Sequence, residues 1–520
     1  MSKVAISRRH LFYVTGGAAF AAAMPALAAC SAEETTGSAP VKPRTGGSLR
    51  VGITSGSTAD SLDAGSSATN ADLARATQLY DTLLENNHDM QIQLGLAEEV
   101  EPSADARTWT IRLTDGVEFH NGKTLTAEDV RFTLARILDP KKPLGPAPRF
   151  NTLQMDQIQI LDKRTIRLPF GRPYAHFKEA LADGGSSGLR IISEGYDPTK
   201  PVGTGPFKYK SFTPGDRSVF ERHPNHFREG QPHLDEVVMI NLSEDSTRVN
   251  ALLAGDVDAI MFLPDAQAKI VEGNSSLGVL NSPSGGWNPI TMRMDIPPFN
   301  DKRVRQAFRL LVNREEMVAQ AKGGNGNIAN DLFARYDPAY ASSLPQREQD
   351  ISKARSLLKA AGQQDLVVDY VAKDQFAQPQ VFAQQAQAAG VTVNVLKVDS
   401  ATYWARYFKQ TPLSQLSWAT RSYLLTIADT MLPTAIYNAT HWEHPAWLQL
   451  VTEAAATVED EKRNRLIQQA QEIEYDEGAE IIWGWNQTVD GYSKKVHGFV
   501  KDTSGINLAG MRLRELWMEA

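Results

Sequence analysis

Three short motifs contain residue types that catalyse reactions or bind ligands in many proteins. Residues 184–188 (GGSSG) fit the G-x-S-x-G string of a serine hydrolase, in which Ser186 would be the nucleophile. Such a serine stands on a sharp turn that follows a strand and precedes a helix. Here a helix-like run comes before the motif and a strand-like run comes after it. We therefore predict a loop at 184–188. An exported hydrolase remains only as an alternative function, of the enzyme class rather than the binding-protein class.

The phosphate-loop and metal motifs also lack the spacing that their chemistry requires. Residues 116–122 have five residues between two glycines, whereas a phosphate-binding loop has four. His441 and His444 are three residues apart, but Pro445 biases His444 away from helical geometry, so the two rings would not share a helical face. The sequence therefore predicts no catalytic residues, no metal ligands and no cofactor. It favours binding without chemistry.

Cys30 is the only cysteine in 520 residues, and it follows a segment with the layout of an export signal. Residues 1–29 combine a basic start, an apolar stretch and small residues, and residues 7–12 (SRRHLF) look like a twin-arginine signal. Residues 27–30 (LAAC) resemble a lipoprotein box, which is cut before the cysteine. We expect a lipid anchor on Cys30, with ordinary cleavage after residues 26–28 as the alternative.

Bulk composition limits the class of partner. The full chain has 54 basic and 61 acidic residues, and loss of residues 1–29 leaves a net charge of −10. An acidic balance argues against nucleic acid, whose phosphates need a basic surface. About 490 mature residues exceed what one core holds, so two or three compact units are expected. Nine tryptophans and 14 tyrosines supply flat stacking surfaces.

Hydrophobic periodicity predicts α/β lobes. A strand-helix-strand unit over residues 366–398 should form a parallel pair with a crossover helix. The other predicted elements are strands at 48–53 and 109–113, a helix with a capping box starting at Thr126, helices at 302–323 and 351–361, a long helix at 445–475, and strands from 481 to the end.

Several motifs recur in the order found in one known family. The chain resembles the family-5 solute-binding proteins of ABC importers, which include oligopeptide-, dipeptide- and nickel-binding proteins. The similarity covers essentially the whole mature chain. The matching segments are 49–52 (LRVG), 61–63 (SLD), 116–122 (GVEFHNG), 125–130 (LTAEDV), 203–260, 297–301 (PPFND) and 304–307 (VRQA).

This resemblance implies a two-lobed periplasmic-binding-protein fold (α/β, type II, cluster C) with an extra subdomain in the first lobe. A solute would bind in the cleft between hinged lobes. The implied partners are a small-molecule or peptide solute and the transmembrane subunits of an ABC permease, with the protein monomeric and lipid-anchored in the periplasm or on the outer face of the cytoplasmic membrane. The implied segments are the signal 1–29, a tether 30–45, lobe I 46–283 with a subdomain at about 88–199, lobe II 284–485 and a C-terminal return 486–520.

One departure from the peptide-binding relatives reverses a charge. Those relatives carry an aspartate three residues after a tryptophan, where it holds the peptide ammonium. Here Arg421 follows Trp418 at that spacing. A guanidinium pairs bidentately with a carboxylate or phosphate, so we expect an anionic group on the solute. The alternative is a salt bridge of Arg421 within its own lobe, and Asp429 could retain an amine-binding role.

Other candidate ligand contacts lie near loops that face the cleft in this family. Arg293 stands where many relatives carry asparagine, and it either contacts the solute or pairs with Asp295. The remaining candidates are mostly aromatic, and each is either a ligand contact or a core residue: Trp287, Asn288, Trp404, Trp418, Tyr423 and Trp485.

The leading hypothesis is an extracytoplasmic receptor that captures a peptide-like or amino-acid-derived solute and passes it to a permease. A nickel-chelate receptor is the alternative within binding proteins. A surface protein that binds another protein is a further possibility. The sequence leaves the solute unnamed, because a few cleft side chains and trapped waters set specificity.

Overall fold

The computed structural model describes residues 42–67, 69–374 and 376–519. The predicted signal 1–29, Cys30 and most of the tether 30–45 lie outside the described residues. In the described part of the chain, no helix is both long enough and apolar enough to cross a membrane. Residues from Pro43 onward belong to one compact unit.

Among the described residues, the strands form two large sheets, one smaller sheet and two short pairs. In chain order they are β1 (Ser48–Ile53), β2 (Leu84–Asn86), β3 (Ile92–Leu94), β4 (Ala97–Pro102), β5 (Thr108–Leu113), β6 (Gln159–Ile160), β7 (Thr165–Pro169), β8 (Phe207–Thr213), β9 (Arg217–Arg222), β10 (Glu236–Asn241), β11 (Ala259–Ile260), β12 (Leu277–Trp287), β13 (Ile290–Met292), β14 (Asn327–Ile328), β15 (Val367–Lys373), β16 (Thr392–Val398), β17 (Leu413–Gln415), β18 (Glu480–Ile481), β19 (Gly484–Ser493), β20 (Val496–His497) and β21 (Trp517–Met518).

The helices surround these sheets. They are α1 (Asn70–Leu79), α2 (Ala127–Ile137), α3 (Phe177–Ala182), α4 (Asp245–Ala254), α5 (Asp265–Glu272), α6 (Lys302–Leu310), α7 (Arg314–Ala321), α8 (Ile351–Ala360), α9 (Gln378–Gln387), α10 (Ser400–Thr402), α11 (Tyr423–Thr430), α12 (Pro445–Ala456) and α13 (Asp460–Glu477).

The first large sheet has eight strands in the order β12-β19-β11-β1-β10-β9-β8, with β14 paired to β19. The predicted strand at 48–53 is β1, which pairs in parallel with β10 and β11. Leu49, Val51 and Ile53 are fully buried, as a central strand covered on its faces requires. The late strand β19 lies between β11 and β12, so the end of the chain completes this sheet.

The second large sheet has five strands in the order β16-β15-β17-β13-β18. The predicted strand-helix-strand unit is confirmed, because β15 and β16 are parallel in register from Val367 opposite Thr392 to Lys373 opposite Val398, with α9 as the crossover. Phe308 and Phe382 pack together in its core at a ring-centroid distance of 5.9 Å.

A smaller antiparallel sheet, β4-β5-β7-β6, lies between β3 and β8 in the chain and carries α2 and α3. The capping box predicted at the start of α2 is present: Thr126 and Asp129 each bond the other's backbone. Trp109, Val130 and Phe177 lie in the core of this subdomain. Leu425 of α11 lies in the same core, so the subdomain packs directly on a helix that lies between β17 and β18 of the second sheet in the chain.

Two predicted helices are wrong in length, because each is broken by a new N-cap. The helix expected at 302–323 is α6 plus α7, and the Asn313 side chain accepts a bond from the Glu316 backbone N–H to start α7. The helix expected at 445–475 is α12 plus α13, and Glu459 caps α13 in the same way. A capping side chain satisfies N–H groups that a continuous helix would bond internally.

Asp331 joins separate parts of the second lobe through buried ion pairs. Its Oδ2 lies 2.8 Å from Arg314 and 2.7 Å from Arg347, and its Oδ1 accepts a bond from the Ile482 backbone N–H. The Asp331 side chain is completely buried. Two cations therefore depend on one carboxylate.

The substitution Asp331→Asn should lower the free energy of unfolding by about 3–5 kcal/mol, because it leaves two buried cations unpaired. Asparagine tolerates the positive φ of 58° at this position, so backbone strain would not explain the loss. Urea unfolding followed by fluorescence measures the change. The control is Arg465→Gln, which breaks an exposed pair with Glu461 and should leave the urea midpoint almost unchanged.

Candidate functional site

The chain crosses from the first large sheet to the second between Trp287, the end of β12, and Ile290, the start of β13. A loop of the second lobe is tied to this crossing. The backbones of Trp287 and Trp418 exchange two hydrogen bonds of 3.0 and 2.9 Å. The Thr420 hydroxyl accepts from the Gly285 N–H and donates to the carbonyl of Thr503. Arg421, the next residue, is therefore held where the two sheets meet.

A cleft separates the first sheet and its subdomain from the second lobe, and it divides into four adjoining cavities. They share lining residues: Arg421 lines three of them, and Leu424 and Leu425 line two. The central cavity, between α3 and α13, has a volume of about 410 Å³. The sheet cavity, beside α1, has about 340 Å³, and the apolar cavity, between Tyr174 and Val451, has about 370 Å³.

The fourth compartment, called here the tryptophan cavity, is lined by four of the nine predicted contact residues, namely Trp404, Trp418, Arg421 and Asp429. It has a volume of about 370 Å³. Trp418 and Trp404 each lie close to Tyr437, at ring-centroid distances of 5.6 and 6.2 Å. The polar and aromatic side chains that line it are Arg149, Ser186, Ser187, Lys373, Trp404, Ser417, Trp418, Arg421, Asp429 and Tyr437.

Arg421 forms an ion pair within its own lobe and also faces the cleft. Its Nη1 donates to Asp429 Oδ2 at 2.8 Å, and both side chains are partly exposed. Asp429 lies on α11, which begins two residues after Arg421. A guanidinium has five N–H donors, and this bond uses one. A salt bridge within the lobe and a contact with the solute are therefore compatible roles for Arg421. The pair with Asp429 leaves four of its donors, and the residue lines three cavities.

A second ion pair, on the subdomain, faces Arg421 and Asp429 across the cleft. Arg149 Nη1 donates to Asp183 Oδ2. Burial alone would raise the pKa of the Asp183 carboxyl, but the guanidinium groups of Arg149 and Arg421 hold it below its usual range. Burial would lower the pKa of Arg149, and Asp183 and Asp429 together raise it. These four residues, the charge cluster, alternate in sign and carry no net charge.

The structure places five of the nine predicted contact residues away from the four cavities. Trp287 stacks on Phe333 with centroids 5.5 Å apart, and Trp485 packs edge-on against Trp287. Tyr423, the first residue of α11, is fully buried, and its hydroxyl donates to Glu474 inside the lobe. Arg293 pairs with Asp295 at 2.8 Å, as the alternative for it foresaw. Asn288 is half-buried beside Trp287 and lines none of the cavities.

The loop predicted at 184–188 is confirmed. It follows α3 directly, so no strand leads into Ser186, and the strand-to-helix turn of a hydrolase is absent at this motif. In the described part of the chain, no three His, Cys, Asp or Glu side chains are grouped closely enough to hold a metal ion. The arrangement offers apolar and aromatic walls with a few charged side chains, as small-molecule sites do.

Comparison with known proteins identifies the class to which this fold and cleft belong. The family model described as "Bacterial extracellular solute-binding proteins, family 5 Middle" matches residues 91–426. The chain belongs to that family. The resemblance inferred from the sequence motifs is confirmed, and so is the two-lobed α/β fold.

Individual relatives cover nearly the whole chain. The glutathione-binding protein GsiB of Pectobacterium atrosepticum is 26% identical over 484 residues, which is 86% of this chain and 90% of that protein. The ABC transporter substrate-binding protein CtaP of Listeria monocytogenes is 21% identical with a TM-score of 0.80, covering 91% of this chain and 100% of CtaP. The binding protein AgaA of A. tumefaciens R10, solved with agropinic acid, is 23% identical with a TM-score of 0.75, covering 91% of this chain and 99% of AgaA.

A buried carboxyl behind α11 gives the lobe a pH dependence. Glu474 accepts bonds from the Tyr423 hydroxyl and from Trp447 Nε1. Burial raises the pKa of Glu474 from 4.5 to about 7, and these two bonds oppose the shift. The folded protein therefore keeps a proton that the unfolded chain releases between pH 4.5 and about 7, so this group lowers stability as the pH rises through that window.

The substitution Glu474→Gln should remove that contribution. The variant's melting temperature relative to the parent should rise steadily between pH 4.5 and 7, because the amide never ionises. Calorimetric melts at several pH values measure the difference between the two proteins, in which titrating groups that do not interact with Glu474 cancel. The exposed control Glu461→Gln should follow the parent at every pH, and a constant offset for Glu474→Gln would contradict the assignment.

Proposed function

We propose that this protein is the membrane-anchored, extracytoplasmic substrate-binding subunit of an ABC importer. It captures a peptide-like or amino-acid-derived solute with an anionic group in the cleft and delivers it unaltered to the permease. Family membership supports the transport role. The proposed solute class rests on the position of Arg421. This residue lines three adjoining cavities, and its pair with Asp429 leaves several of its N–H donors unused.

The ligands named for two relatives have the chemistry that Arg421 would recognise. GsiB is a glutathione-binding protein, and AgaA was solved with agropinic acid. Glutathione is a peptide-like molecule with carboxylates, and the second compound is by its name an acid. A bidentate guanidinium–carboxylate pair would fix such a molecule in the cleft.

Contacts across the cleft support capture by closure. The Ala175 N–H of the subdomain donates to the carbonyl of Ala455 on α12 at 2.8 Å, and Leu425 packs into the subdomain core. The charge cluster adds attraction between the same two parts. A solute that touches both walls would favour the closed arrangement by its differential affinity, and the permease would recognise that arrangement.

Replacement of Arg421 tests the solute class. Mature protein from its native host, purified without a histidine tag, would be examined by native mass spectrometry to identify the bound solute. Calorimetry should then show about 10- to 100-fold weaker binding of that solute to Arg421→Ala, because a charge-assisted hydrogen bond is worth about 1.5–3 kcal/mol. Arg293→Ala, which breaks a pair outside the cavities, should bind like the parent.

Unchanged affinity of Arg421→Ala would remove this residue from the site. Metal analysis of the same preparation separates the nickel-chelate alternative: we expect far less than one nickel per chain, and stoichiometric nickel would favour that alternative.

The proposed anchor has its own test. Cys30→Ser should move the protein from the membrane fraction to the soluble extracytoplasmic fraction, because the substituted residue carries no diacylglycerol thioether. Fractionation and labelling with radioactive palmitate measure this. Release of the parent protein without any label would instead support ordinary signal cleavage.

A further inference from the structure

Lys373 lines the tryptophan cavity as the last residue of β15. Only 8% of the residue is exposed. Among the described residues, no hydrogen-bond acceptor and no carboxylate partner is found for its ammonium. Its nearest charge-stabilising neighbours are aromatic: Nζ lies 5.5 Å from the ring centroids of Trp404 and Phe376 and 5.9 Å from that of Tyr403.

The other charges that line this cavity are already compensated. Arg421 pairs with Asp429, and Arg149 pairs with Asp183. Burial lowers the pKa of the Lys373 ammonium, and no neighbouring acid opposes that shift. Lys373 is therefore the cation whose charge remains unbalanced among the described side chains around this cavity.

The aromatic rings offset only part of what burial of this charge costs. Taking an ammonium out of water carries a desolvation cost that relaxation of the protein only reduces. A cation–π contact returns only part of that cost. An anion in the cavity would supply the missing compensation. The position fits such a role, because β15 is parallel to β16 and β17, and ligands of α/β sheets bind at the carboxyl ends of parallel strands.

We propose that Lys373 binds a second acidic group of the solute, a carboxylate or a phosphate, in the tryptophan cavity. This inference rests on the proposed function and narrows its solute class to molecules with two acidic groups, one held by Arg421 and the other by Lys373. Trp404, Trp418 and Tyr437 would then contact the apolar part of the solute next to that group. A volume of about 370 Å³ accommodates a short acidic side chain.

The substitution Lys373→Met tests the inference, because it keeps the length of the side chain and removes the charge. If the charge serves a ligand, the unliganded variant should melt at a higher temperature than the parent, since an ammonium that is partly removed from water and has no charge partner is gone. A purely structural role predicts a lower melting temperature. The matched control is Lys409→Met, whose ammonium also lies near a ring, that of Phe408, but outside the four cavities.

Small anions probe the subsite directly. After bound solute has been removed, succinate and inorganic phosphate would each be tested at millimolar concentration, with uncharged succinamide as the neutral control. At least one anion should raise the melting temperature of the parent and of Lys409→Met, and the rise should fall by half or more in Lys373→Met. Comparing succinate with phosphate shows which acid the subsite prefers.

Two results would overturn the inference. One is the absence of stabilisation of the parent by either anion, and the other is equal stabilisation of Lys373→Met. The solute identified from the native host separates this inference from the proposed function. Parent-like affinity of Lys373→Met for that solute rejects only the role of Lys373, whereas a parent that binds no solute rejects the transport role itself.

Discussion

Arg421 and Asp429 form their ion pair on the wall of the cleft, opposite Arg149 and Asp183. This alternation of charges constrains the rest of the site. Because each cation of the cluster already has a carboxylate, the cluster gives the cleft no net positive charge. At this cluster an anionic solute would bind the donors of Arg421 that Asp429 leaves free, rather than neutralise an unpaired cation. Specificity would then depend on donor geometry, which distinguishes carboxylates from halides and other small anions.

The same cluster also produces electrostatic attraction between the two walls of the cleft. The charge of Arg421 lowers the pKa of Asp183, and the charge of Asp429 raises the pKa of Arg149. Both effects act across the cleft, although Asp183 and Arg149 are bonded to each other on one side of it. Separation of the lobes would expose both pairs to water and weaken only the interactions between them. Each wall would therefore keep its own charges paired when the lobes open. Such an arrangement lets the lobes part at a modest energetic cost, as a receptor that must release its solute requires.

The sequence predicted much of the fold because local signals agreed with tertiary structure. The strand β1 and the capped helix α2 were visible as periodicity and caps, and the β15–α9–β16 unit follows from the rule for parallel strands. The breaks between α6 and α7 and between α12 and α13 were missed, since hydrophobic periodicity continues across them and only Asn313 and Glu459 mark the new starts.

The site was harder to predict than the fold. Arg421, Asp429, Trp404 and Trp418 were found through family spacing, and they line the cavities. Arg149, Asp183 and Lys373 come from distant parts of the chain and have no local signature, so only the folded structure brings them together. Residue type and position along the chain were the only grounds for predicting ligand contacts at Trp287, Tyr423 and Trp485. Large aromatic side chains also fill cores, and no pattern in one sequence separates the two roles.

The position of β19 limits when the protein can fold. This strand, at Gly484–Ser493, is inserted between β11 and β12, whose own residues end at Trp287. An entire second lobe is synthesised before the first sheet receives this strand. The first sheet therefore cannot be completed until β19 has been synthesised. Any export route that requires a folded cargo would have to act after β19 has been synthesised, whereas a route that threads unfolded chains would meet no such delay.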